Sequence, residues 1–139
     1  MIDALNQLGK LSHHDKRYNQ AKEYFQKALE TAKDPKDKRR RVESLCNLGM
    51  VAKDRRRFDD AYKCYDQALK ITNPREPSST AGVKLGRAQV YADEGYPDLA
   101  QKEAQEVLKI YEQLRHGDAV KVREFIQQMQ NRKANRKVS

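Results

Sequence analysis

Leu8-Gly9 recurs as Leu48-Gly49, Ala21 as Ala61, Phe25 as Tyr65, and Ala28-Leu29 as Ala68-Leu69, each 40 residues further on. Self-similarity at a fixed period of this length constrains the chain to a helical array, in which each helix pair buries its apolar face only against its neighbours. Such arrays bind partners far more often than they carry out chemistry. The sequence therefore speaks to the kind of task and not to the identity of the partner.

The chain has 139 residues, one domain's worth, with 37% hydrophobic and 35% charged side chains. That lean apolar content suits a thin array in which no residue lies far from water. The longest apolar runs span only a few residues, too short to cross a bilayer, so no membrane insertion is expected. Met1 leads straight into an amphipathic pattern, with no charged-then-apolar signal segment. Cys46 and Cys64 are the only cysteines and lack metal-ligand spacing. As reduced thiols they favour the cytoplasm, or the nucleus. The net charge of +9 points to acidic partners.

Apolar spacing predicts a first helix from Ile2 to about His14, with Leu5, Leu8 and Leu11 inward, and a second from about Asn19 to Ala32. Asp34-Pro35 then caps and opens a third helix to Asp54, whose core stripe reads Val42, Leu45, Leu48, Gly49 and Ala52. A fourth runs from Asp59 to Thr72, followed by a loop over Pro74 to Ser79. The fifth starts near Ser79 or Thr80 and ends near Glu94; the sixth runs from Pro97 to about Arg115. Leu85-Gly86 is a decoy for the repeated Leu-Gly pair. Gly9 to Ala21 and Gly49 to Ala61 each span 12 residues, as does Ala88 to Ala100, so Ala88 takes the small-residue slot. Gly117 suits a left-handed helix end. A seventh helix, Ala119 to Arg132, carries the stripe Val122, Phe125, Ile126 and Met129.

These residues resemble tetratricopeptide repeats. The first repeat supplies Leu5, Leu8-Gly9, Ala21, Phe25 and Ala28; the second supplies Leu45, Leu48-Gly49, Ala61, Tyr65 and Ala68. The third supplies Ala88, Tyr91, Gly95 and Ala100, with weaker matches at Ala104 and Val107. The 40-residue period is similar to that of the Leu-Gly-Asn-repeat adaptors. Lys84 and Arg87 depart from the pattern, in slots usually apolar. The resemblance implies an all-α, right-handed α-solenoid of three helix pairs plus a C-terminal capping helix. It places repeats over about 2–34, 35–74 and 79–116 and the cap over 119–132, in a domain of 1–133, with 134–139 as a basic flexible tail.

In this family the first helix of each pair lines the concave groove, and the face not used for packing names the groove residues. They are Asn6, Lys10 and His13 on the first helix, and Lys36, Arg39, Glu43, Asn47, Met50 and Lys53 on the third. Gln89 is the counterpart on the fifth. The stripe is mixed and net basic. Its amides and guanidinium groups can bond the backbone and acidic side chains of an extended peptide. The expectation is a non-enzymatic scaffold or adaptor that binds an acidic segment of another protein, with no cofactor. Only Asn47 falls on the pattern with which some members clamp a chaperone's C-terminal carboxylate, so that role is not implied.

Nucleic acid is the competing partner. Arg39–Arg41 and Arg55–Arg57 lie about 20 Å apart by helix rise and could follow a phosphate backbone. Against this, nearly all Tyr and Phe are committed to the core, leaving few rings for base stacking. Catalysis lacks a phosphate loop or a nucleophile–base motif. His13 and His14 point about 100° apart on a helix and do not form a metal pair. The first repeat has no preceding cap, so its outer face is open to further repeats or to self-association.

Overall fold

The computed structural model describes residues 1–138, with side chains through residue 136. Among these residues every regular element is helical. The chain divides into two compact units, Met1–Thr72 and Asn73–Ser139. The first holds α1 (Ile2–His14), α2 (Tyr18–Thr31), a 3₁₀ turn (Pro35–Asp37), α3 (Lys38–Asp54) and α4 (Phe58–Ile71). The second holds α5 (Pro77–Glu94), α6 (Pro97–Gln113) and α7 (Ala119–Val138).

The repeat seen in the sequence is also a repeat of backbone. Lys16 and Arg56 end α1 and α3 with left-handed φ of 61° each, and Gly95 does so after α5 with φ 101°. The amide that follows each donates five residues back: Arg17 to Ser12, Arg57 to Ala52, Tyr96 to Tyr91, all at 2.8 Å. This bond closes a carbonyl that the helix end would leave open. The small residues Ala21, Ala61, Ala88 and Ala100 are fully buried where helices cross. An added Cβ on Gly9 would stand 2.4 Å from Phe25 Cε1, and one on Gly49 would stand 2.7 Å from Tyr65 Cε2. Each glycine is thus the seat of the aromatic ring on the following helix.

Several expectations are corrected. On α1 the buried stripe is Asn6, Gly9 and Ser12, while Leu8 and Leu11 are 43% and 63% exposed. The ring of Phe25 needs the flat glycine surface, which rotates the leucines outward. On α3, Val51 and Ser44 take the deep positions, and Leu48 and Ala52 are only half-buried. Asp34 does cap, accepting from Lys36 N at 3.0 Å, but it opens the 3₁₀ turn, and α3 starts at Lys38. Helix α5 starts at Pro77, whose missing N–H costs nothing in a first turn. After α6 the left-handed residue is Arg115, with φ 53°, rather than Gly117.

The two basic residues out of pattern in the third repeat have partners on α6. Arg87 pairs with the buried Glu103, and Lys84 lies 3.2 Å from Glu106. In place of a flexible tail over 134–139, α7 continues to Val138, and residue 139 lies outside the described residues. Its basic groups dock on the α5–α6 turn. Arg132 donates to Ala92 O at 3.1 Å and Arg136 to Gly95 O at 2.6 Å. Lys133 reaches Gln101 Oε1 at 2.6 Å and Asp98 at 3.0 Å. Cations at the carbonyl end of a helix are well placed for its dipole.

Candidate functional site

Within the first unit, α1 and α3 lie side by side and form one face. Residues 40, 43, 47, 50 and 54 share a stripe of α3 at helical spacing. Across that stripe Arg40 bonds Asp3 at 3.0 Å, Lys10 bonds Glu43 at 3.0 Å, and His13 Nε2 lies 2.5 Å from Asp54. Arg40 also reaches Asp37 at 3.2 Å, and Lys53 stands 3.7 Å from Asp54. Of the residues expected here, Lys10, His13, Glu43 and Lys53 are therefore engaged with carboxylates or cations of the same face. These pairs are exposed to solvent in part or in full, so screening leaves each of them a small contribution to stability.

Lys36 and Arg39 are exposed at the α3 start, and Met50 is half-buried between Asn47 and Asp54 on the stripe. Asn6, expected to face a partner, is instead 1% exposed, because it lies on the same stripe as Gly9, which turns into the interior towards α2 and α3. Its Oδ1 accepts from the Ser44 hydroxyl at 3.2 Å. Asn47 is 8% exposed. Among the described residues the buried Nδ2 groups of both asparagines find no hydrogen-bond acceptor. Such donors cost about 1–3 kcal/mol each when unsatisfied. Gln89 is exposed on α5, in the second unit.

Cys46 and Cys64 are free thiols, on α3 and α4. Burial, then the nearness of Cys64 and of Glu43, pushes the Cys46 thiol up to about 12 from its ordinary 9.0. Burial also raises Cys64, Tyr65 and Tyr111. Each group holds its proton more tightly folded than unfolded. The stability they add is complete below the ordinary thiol value of 9.0 and is lost as pH rises through the folded values. Urea midpoints followed by circular dichroism are expected to fall progressively above pH 9.0. A flat alkaline profile contradicts this account of the buried thiols and phenols.

Among the described residues no three His, Cys, Asp or Glu side chains converge as metal ligands. No described helix is long and apolar enough to cross a membrane. A family model described as tetratricopeptide repeat matches residues 1–73. No curated protein matches the sequence. Among solved structures the chain is similar to the apo form of RapI, with a TM-score of 0.85 at 14% identity over 99% of this chain and 51% of that one. It is also similar to BtubC (BKLC) from P. vanneervenii, with a TM-score of 0.81 at 20% identity over 96% of this chain and 56% of that one. The chain thus spans about half the length of these structures, and at such identities the likeness is one of fold.

Proposed function

Because the chain belongs to the tetratricopeptide-repeat family, whose members bind other proteins, we propose that it is a non-enzymatic adaptor that holds an acidic, extended partner segment on its α1–α3 face. The observation that carries this reading is Asn47. Its side-chain amide sits mid-stripe, buried, with a donor that finds no acceptor among the described residues. Buried polar groups are nearly always satisfied, and a turn of this side chain towards the face would let a backbone carbonyl laid along it accept the bond. The neighbouring charges are already paired with each other, so they frame the amide without competing for it. Lys36 and Arg39, exposed at one end, supply the positive charge that an acidic side chain of the partner would meet. Gln89 extends the set only as a site on the second unit.

The basic runs that favoured nucleic acid are committed inside the chain in part, at Arg40, Arg41 and the C-terminal helix but not at Arg39, Arg55 or Arg57. Arg40 bonds Asp3, Arg41 donates to Ala32 O at 3.4 Å, and Arg132, Lys133 and Arg136 dock α7. The setting we infer is a reducing compartment such as the cytoplasm, where Cys46 and Cys64 stay as thiols. Affinity capture from lysate tests the reading, comparing the native chain with a Lys36→Glu, Arg39→Glu, Asn47→Ala variant, with and without nuclease. A protein partner that survives nuclease and is lost with the variant is the expected result. Capture abolished by nuclease, or untouched by the variant, rejects it.

A further inference from the structure

Away from the α1–α3 face, the first unit carries a cleft of about 270 Å³ between α2 and α4, floored by α3. Its floor is apolar: Leu48, Val51 and Ala52, of which Leu48 and Ala52 are the half-buried positions noted above. Its rim is cationic. Lys22 comes from α2, Arg55 and Arg57 from the α3–α4 turn, and Lys63 from α4, against the single carboxylate of Asp60. Among the described residues none of these four cations makes an ion pair, whereas the cations of the α1–α3 face and of α7 are almost all engaged. Arg55 also borders a shallow depression with Lys16 and Arg17, so the positive rim continues along the α1–α2 turn.

We propose that this cleft is a second docking site, distinct from the α1–α3 face, for an acidic peptide segment that seats one apolar side chain between flanking carboxylates. Four like charges around one hollow repel one another, and carboxylates brought by a partner relieve that repulsion. The floor selects the anchor. A half-exposed leucine and alanine over a buried valine gain from an aliphatic side chain that covers them. The lining favours a peptide over a cofactor. Small-molecule sites usually bring aromatic side chains, and this cleft is lined by none. The same lack of rings disfavours a nucleic acid strand, which gains its affinity from base stacking as well as phosphate contacts. Arginine rim groups add bidentate carboxylate geometry that a lysine-only patch would not offer.

Cys64 lines the cleft, and both Lys22 and Asp60 act on its thiol, so it reports occupancy directly. The test titrates the full chain with a fluorescent glutamate peptide bearing one central leucine. The same peptide with a central serine and a single-stranded oligonucleotide of equal charge are the comparisons. The leucine peptide is expected to bind about tenfold or more tighter than the serine peptide, and to lose at least about tenfold with Lys22→Glu, Lys63→Glu. Bound peptide should also slow alkylation of Cys64, while Lys109→Glu, at an exposed cation of the second unit outside both sites, leaves the affinity unchanged. If the charge-reversed chain does not fold, as judged by circular dichroism, Lys22→Gln, Lys63→Gln replaces it, with a smaller loss expected. No binding, equal affinity of the rim variants, unprotected Cys64, or preference for the oligonucleotide each overturns the proposal. Loss of binding with Arg39→Glu alone assigns the peptide to the α1–α3 face instead.

Discussion

Phe25→Ala is expected to destabilise the first unit by about 3–5 kcal/mol. The ring is fully buried, in one cluster with Ala21 and Val51, with Tyr18 and Leu48 packed against it. It lies flat on Gly9, so its loss opens a cavity where α1, α2 and α3 meet. The reciprocal change, Gly9→Ala, drives a methyl into the ring and is expected to cost about 1–3 kcal/mol. The two are coupled. Truncating the ring vacates the space that the methyl needs, so the double variant should cost less than the sum by about 0.5–3 kcal/mol. Urea unfolding of the four proteins measures this. Additive losses, or a Phe25→Ala cost below about 1 kcal/mol, would mean that the ring does not sit on the glycine.

Glu103→Ala is expected to be the most damaging polar change, at about 2–4 kcal/mol. Glu103 is buried on α6, and both its oxygens accept from Arg87 Nε at 3.0 Å, with a further short contact from Nη2. Removing the carboxylate takes from the guanidinium, whose side chain is 23% exposed, its buried carboxylate on α6. That partial exposure places the cost below that of a fully enclosed pair. Replacing both partners, as Arg87→Met with Glu103→Met, removes both charges from the α5–α6 contact and should restore much of the loss. Thermal melts of the single and double variants decide. A neutral Glu103→Ala, or a double variant worse than the single, contradicts this account of α5–α6 packing.

Much of the fold was legible because it rests on small residues at fixed offsets. The 12-residue interval from Ala88 to Ala100 identified the third repeat against the Leu85-Gly86 decoy, and Gly95 takes the same left-handed position as Lys16 and Arg56. The facing of α1 was not legible. Leu5, Leu8 and Leu11 form an apolar stripe that amphipathicity assigns to the core, but what packs against Phe25 is the glycine one position further round. The basic C-terminal end was misread for a different reason. Its partners are backbone carbonyls some 40 residues earlier, at Ala92 and Gly95, and a carbonyl leaves no mark in a sequence.

The candidate site was legible in part. Helical spacing identified Lys10, Glu43 and Asn47 on one face but not that Lys10 and Glu43 neutralise each other. The α2–α4 cleft was invisible, because its floor and rim come from ordinary residues on three helices. Leu48 and Ala52 read as core, and Arg55 and Arg57 as part of a basic run suited to a phosphate backbone. Only their convergence around one hollow gives them a joint chemistry.

An amide NMR titration of the isotope-labelled Lys22→Glu, Lys63→Glu chain, in which the α2–α4 cleft is disabled, with a glutamate-rich peptide tests the central claim most directly, because the Asn47 side-chain amide is itself a signal. Shifts of that amide and of the backbone from Lys36 to Lys53, saturating with the peptide, are the predicted result. A peptide that binds while the Asn47 amide stays fixed, or that moves only residues of the second unit, would contradict the claim that the α1–α3 face holds the partner.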